Sequence, residues 1–183
     1  VKWVLKAAAK LKTSLFVHLK IDTGMSRMGI KPSNINEVIH GLNISKGINI
    51  EGIWTHLSSA DSDEEYTKNQ LNKFNNCIEH LARKGIKPKY IHAANSASIL
   101  KYPESCYNSV RPGLLLYGVS PLLKKMPGLK SVMELSAPMI LTKSVPKGTP
   151  IGYNQKFKTN KQSIIGTIQV GYADGIPTCM GNT

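Results

Sequence analysis

Between residues 15 and 112 the apolar pattern keeps switching period, and that alternation constrains the fold more than any other feature of the chain. Residues 16–21, 48–55, 90–93 and 109–112 are short apolar runs that read as strands. The segments between them carry helix signals. Asn34 with Glu37 has the spacing of an N-cap and its capping-box partner, opening a short helix through His40. Ser62-Asp63-Glu64-Glu65 is a stronger capping box, and it leads into Leu71, Phe74, Cys77, Ile78 and Leu81 at helical spacing. Gly85 ends that helix and Pro88 prevents its return. Residues 96–101 read as another short helix, and residues 2–12 as the end of one.

Strand-helix alternation of this kind specifies a parallel sheet wound with helices. A doubly wound sheet and a TIM barrel both satisfy it. The unusual polar residues favour the barrel, because they fall at or just after successive strand ends: Lys20 and Arg27, then His56, then His92, Asn95 and Ser96, then Arg111. A doubly wound sheet would gather its ligand residues near one switch point. Four strands make half of an eight-stranded barrel, with open edges and an unfilled interior. The chain is therefore expected to be a fragment. Because the sequence starts at Val1 rather than Met, the lack of a signal-peptide pattern carries no information.

The character changes near Leu122. Prolines at 121, 127, 138, 146 and 150 exclude long helices, and β-like runs at 139–142, 151–153 and 164–170 lie between turns at Pro127-Gly128 and Lys147-Gly148. The expected organisation is an α/β half-barrel over residues 1–125, followed by the start of an all-β domain over 126–183.

Lysine and arginine outnumber aspartate and glutamate by 24 to 11, a net charge of +13. The lysines are scattered and no nucleic-acid motif accompanies them, so a solvated basic surface is expected rather than a nucleic-acid partner. Cys77, Cys106 and Cys179 are far apart and form no metal or disulfide pattern. Reduced cysteines and the lack of a long apolar run lead to the expectation of a cytoplasmic protein without a membrane span.

The strand ends suggest chemistry. A lysine inside an apolar strand is costly unless it is paired or modified, which marks Lys20; a surface Lys20 with Arg27 paired to Asp22 is the plain alternative. His92-Ala93-Ala94-Asn95-Ser96 joins a strand end, a small-residue turn and a helix start, which suits a phosphate or simply an N-cap. Gly113 allows close backbone approach, and the N–H groups of Gly113 and Leu114 could complete a phosphate cradle. A lone His56 and a lone Tyr153 are each open to a structural reading.

Six segments, in order, resemble those of alanine racemases, the fold-type III enzymes that use pyridoxal 5′-phosphate (PLP). They are Lys20-Ile21-Asp22-Thr23-Gly24-Met25-Ser26-Arg27, Thr55-His56, His92-Ala93-Ala94-Asn95-Ser96, Arg111-Pro112-Gly113-Leu114, Ile151-Gly152-Tyr153 and Gly171-Tyr172-Ala173-Asp174-Gly175. The resemblance implies that Arg27, His56, Asn95, Ser96, Arg111, Gly113 and Leu114 bind cofactor. Arg27 and Tyr172 would bind substrate, and Tyr153 would be a catalytic base. His92 would support Arg111, and a carbamylated Lys20 would brace Arg27. Tyr153 stands between Gly152 and Asn154, a departure from the family's usual Ser-Tyr-Gly.

The family's PLP-bearing lysine, its second base, belongs to a segment expected outside these residues. The implied activity is two-base racemisation of L- and D-alanine, supplying D-alanine for peptidoglycan, in a homodimer whose subunits share active sites. The piece alone is expected to be inactive. The alternatives are a racemase of broader specificity on the same fold, a non-catalytic PLP-binding barrel protein, which would lack the β-domain, and a basic nucleic-acid-binding module suggested by charge alone.

Overall fold

The computed structural model describes residues 2–11, 14–43, 47–122 and 126–180. They fall into two compact units, residues 1–132 and 133–183.

The first unit is built on a parallel sheet of β1 (Leu15–Lys20), β2 (Ile48–Trp54) and β3 (Tyr90–His92), in that order. The register pairs Leu19 with Ile53, Lys20 with Trp54 and Trp54 with His92. Helices α1 (Lys2–Leu11), α2 (Ile35–Asn43), α3 (Glu64–Arg83) and α4 (Ser96–Lys101) accompany it. The two faces of the sheet differ, as the period-2 alternation of strand side chains requires. Leu19, Ile21, Ile53 and Ala93 are buried in one core with Ile35, Ile39 and Leu42 of α2 and Leu71, Phe74, Cys77 and Leu81 of α3. Each of the larger side chains contributes about 1.5–3 kcal/mol by that burial. The other face carries His18, Lys20, Trp54, Tyr90 and His92, whose rings touch across the strands.

Capping shows why α3 starts and stops where it does. Asp63, not Ser62, is its N-cap, and the Asp63 carboxylate accepts the Tyr66 N–H at 2.9 Å. A carboxylate at this position satisfies an orphan donor and also complements the helix dipole. At the other end Gly85 adopts φ +76°, while the N–H groups of Gly85 and Ile86 return to the carbonyls of Ala82 and Leu81. The short helix expected from Asn34 is instead preceded by a 3₁₀ turn, Pro32–Asn34, and begins at Ile35.

The segment 109–112 is not a strand. It lies beside the end of β3 through one backbone bond, from Arg111 N–H to the Ala94 carbonyl at 3.0 Å. Pro112 has no N–H to donate, so it cannot extend a ladder.

The second unit is all-β, with short 3₁₀ turns. β4 (Met139–Val145) pairs antiparallel with β7 (Ser163–Ile168), and β5 (Pro150–Ile151) with β6 (Phe157–Lys158). Buried Thr159 holds the turn after β4. Its hydroxyl donates to the Pro146 carbonyl at 2.7 Å and accepts the Thr149 N–H at 2.9 Å.

Candidate active site

The functional side chains of the first unit follow from the strand parity just described. His18 and Lys20 alternate with buried Leu19, and Trp54 and His56 with buried Ile53 and Thr55. Trp54 is the hub, with Lys20 Nζ 4.6 Å and Arg111 Cζ 4.8 Å from its ring centroid. The His92 ring stacks on it at 5.8 Å and 11°. These contacts are cation–π and stacking arrangements that fix the cations without a counter-charge.

Arg111 is held on three sides. Nη1 donates to His92 Nδ1 at 2.5 Å, and Nη2 donates to the carbonyls of Thr55 at 2.7 Å and Ala93 at 3.2 Å. His92 Nε2 in turn lies 3.1 Å from His18 Nδ1. Burial, then the Arg111 charge, then His18 push the His92 imidazole down to about 4. His56 is also lowered, by burial first and then by the charges of Arg111, Arg27 and Lys20. Those three cations therefore make the strand ends electropositive, which suits an anionic ligand.

Ser96 is 5% exposed, and its Oγ accepts the N–H groups of Gly113 at 2.8 Å and Leu115 at 3.3 Å. The second amide onto Ser96 thus comes from Leu115, one residue past Leu114, because a 3₁₀ turn begins at Leu114. Asn95 is committed to the fold. Its Oδ1 caps α4 through the N–H groups of Ala97 and Ser98, and its Nδ2 donates to the Leu57 carbonyl at 3.0 Å.

Arg27 is exposed, beyond a loop shaped by Asp22. Asp22 Oδ1 accepts the N–H groups of Ser26 at 2.9 Å and Gly24 at 3.1 Å, and the Ser26 bond does most to hold its carboxyl below the usual range. The Asp22 carboxylate is therefore turned to backbone.

In the second unit Tyr153 is 84% exposed and Tyr172 68% exposed, so neither packs as a core tyrosine. Both line a cleft of about 560 Å³ with Asn154, Lys156, Ile176 and Pro177. The turn carrying Tyr153 is unusual, with positive φ at Gly152, Asn154 and Gln155.

The family model for the alanine racemase N-terminal domain matches residues 1–121, and that for the C-terminal domain matches residues 132–183. The chain belongs to the alanine racemase family. It is 39% identical over 175 residues to the alanine racemase of Treponema denticola, covering 92% of this chain and 46% of that protein. To the Helicobacter pylori alanine racemase it is 41% identical over 187 residues, covering 97% of this chain and 50% of the relative. The chain thus spans about half the length of the curated relatives it matches.

Among solved structures, the alanine racemase of Streptomyces coelicolor superimposes with a TM-score of 0.85 at 31% identity, over 96% of this chain and 48% of that one. That of Clostridium difficile gives 0.76 at 33% identity, over 96% and 47%. The fold is accordingly the second half of a TIM-type (β/α)8 barrel followed by the start of an all-β domain.

Sequence reasoning missed Trp54, His18 and Gln70. Trp54 ends β2 two residues before His56, a period-2 relation visible in the sequence.

Proposed function

We propose that the protein carrying this chain interconverts L- and D-alanine with PLP as cofactor, by a two-base mechanism. The observation that carries this reading is the grip on Arg111, a donor-only side chain fixed by His92, Thr55 and Ala93 at the strand ends of an alanine racemase fold.

The residues present fit the cofactor. Ser96 Oγ accepts the amides of Gly113 and Leu115, so its own hydroxyl proton is left to be donated to a phosphate. A Cβ at Gly113 would meet only Ser96 Oγ, at 3.9 Å, so backbone approach there is open. Arg111 would face the pyridine nitrogen. Arginine does not give up its proton at accessible pH, so that nitrogen would stay unprotonated and weakly electron-withdrawing.

When bound, PLP acidifies the Cα proton of the amino acid attached to it. Tyr153 Oη takes or returns that proton on one face, and a lysine that we place outside these 183 residues serves the other. Arg27 and Tyr172 bind the substrate carboxylate, and His56 packs against the cofactor. A carbamate on Lys20 would supply the anion that braces Arg27.

The exposure of Tyr153 and Tyr172 supports a homodimer in which these residues serve the partner's barrel. Among the described residues no helix is long and apolar enough to cross a membrane. That fits the proposed place of the enzyme, the cytoplasm, where it would supply D-alanine for peptidoglycan.

The test is incubation of the intact, PLP-loaded protein with either enantiomer of alanine. The opposite enantiomer should appear from both sides, with solvent deuterium at Cα. Absence of interconversion with PLP bound would refute the proposal.

A further inference from the structure

Gln70, on α3, is a buried polar residue that the proposed chemistry leaves unused. It is 1% exposed and lies on the helix stripe that also buries Phe74, Cys77 and Leu81. An apolar residue there would bury without loss, whereas a carboxamide is tolerated only if its hydrogen bonds are replaced. All four are. Nε2 donates to Thr23 Oγ1 and to the His56 carbonyl, each at 3.2 Å. Oε1 accepts the Ser58 N–H at 2.9 Å and the Ser58 hydroxyl at 3.2 Å. Flipping the amide would set Nε2 against the Ser58 N–H and Oε1 against the His56 carbonyl, so the orientation is determined.

The direction of the remaining bonds follows. Thr55 Oγ1 donates to the Ile21 carbonyl at 2.8 Å. At the 2.7 Å contact between the two hydroxyls, Thr23 must then be the donor. The chain runs one way, from Gln70 to Thr23 to Thr55 to the Ile21 carbonyl just past β1. The Thr55 carbonyl also receives Arg111 Nη2. One turn earlier on α3, Tyr66 Oη donates to the Gly24 carbonyl at 2.7 Å. The helix thus holds the loop after β1 at two points and the loop after β2 at His56 and Ser58.

We infer that Gln70 is a positioning residue, setting from behind the sheet the spacing between the Arg27 loop, the His56 peptide and the Thr55 carbonyl that supports Arg111. The inference rests on the alanine racemase reading for its catalytic consequence, and on geometry alone for its structural one.

The experiment compares Gln70→Glu, Gln70→Leu and Phe74→Leu in the intact protein. Phe74→Leu is the control for lost stability from the same helix. Glutamate keeps the shape but loses both donors. Both Gln70 variants should lower kcat for alanine about ten- to a hundredfold, more than the control at matched loss of Tm. They should also shift the His56 ring resonances in PLP-free protein, which Phe74→Leu should leave in place. Unmoved His56 resonances, or kcat tracking Tm alike in all three variants, would overturn the inference. If the wild type does not racemise alanine, the functional reading fails by itself and the His56 resonances alone decide the positioning role.

Discussion

Arg111 donates to Nδ1 of His92, and that one bond orders a row of three further groups. A guanidinium has no acceptor, so His92 Nδ1 must be bare and the ring proton must sit on Nε2. That proton points to His18 Nδ1, 3.1 Å away. His18 then keeps its own proton on Nε2, 4.0 Å from Glu51 Oε2. Polarity therefore runs from Arg111 through two imidazoles toward a carboxylate.

His92 should remain neutral, in the Nε2–H form, until pH falls toward about 4. Nitrogen-15 NMR of the ring reads this directly. The sign for stability follows from linkage. Between about 4 and the ordinary value of 6.5 the unfolded chain binds the proton that folded His92 refuses. Stability contributed by neutral His92 is thus lost as pH falls through that window. Urea unfolding at pH 7 and pH 5 should show a smaller pH difference in His92→Asn than in wild type.

Arg111→Lys keeps the charge and loses the fork. A single ammonium cannot reach His92, Thr55 and Ala93 together in the same geometry. The expected loss is about a hundredfold or more in kcat/KM for alanine, measured by steady-state kinetics.

The loop carrying Arg27 depends on Gly29. It has φ +136°, and a Cβ there would lie 2.8 Å from the Asp22 nitrogen. Gly128 has φ +86° with nothing within 4 Å of a Cβ. Gly29→Ala should cost about 2–4 kcal/mol by strain and collision, and Gly128→Ala about 1–2 kcal/mol by conformation alone. Urea denaturation separates the two.

Helix α3 offers a test of its cap. Asp63→Ala should cost about 1 kcal/mol in unfolding free energy. Ser62→Ala should stay within about 0.5 kcal/mol, because the Ser62 hydroxyl is an exposed donor to Asp61 rather than the cap. Equal losses in urea titrations would put the cap back at Ser62.

β1 to β3, the long helix and the gathering of Lys20, His92 and Arg111 were legible because period, caps and glycines are local signals. Residues 109–112 were misread for the same reason. An extended run looks like a strand in sequence, but pairing is a tertiary property and Pro112 limits it. Ser62 was preferred as the cap because Ser-x-x-Glu is the familiar pattern, yet Asp63 competes one residue later with a charged acceptor. Gln70 was not singled out among the polar residues of α3. Its signal was its position, one turn before Phe74 on the apolar stripe, and only its partners across the sheet gave that position meaning.

The most direct test of the account is interconversion of L- and D-alanine by the intact, PLP-loaded protein and its Tyr153→Phe variant. The wild type should racemise in both directions. The variant should fold, bind PLP and lose about a hundred- to ten-thousandfold in kcat, as removal of one of two proton-transfer groups requires. A wild type unable to interconvert the enantiomers, or a variant as active as the wild type, would contradict it.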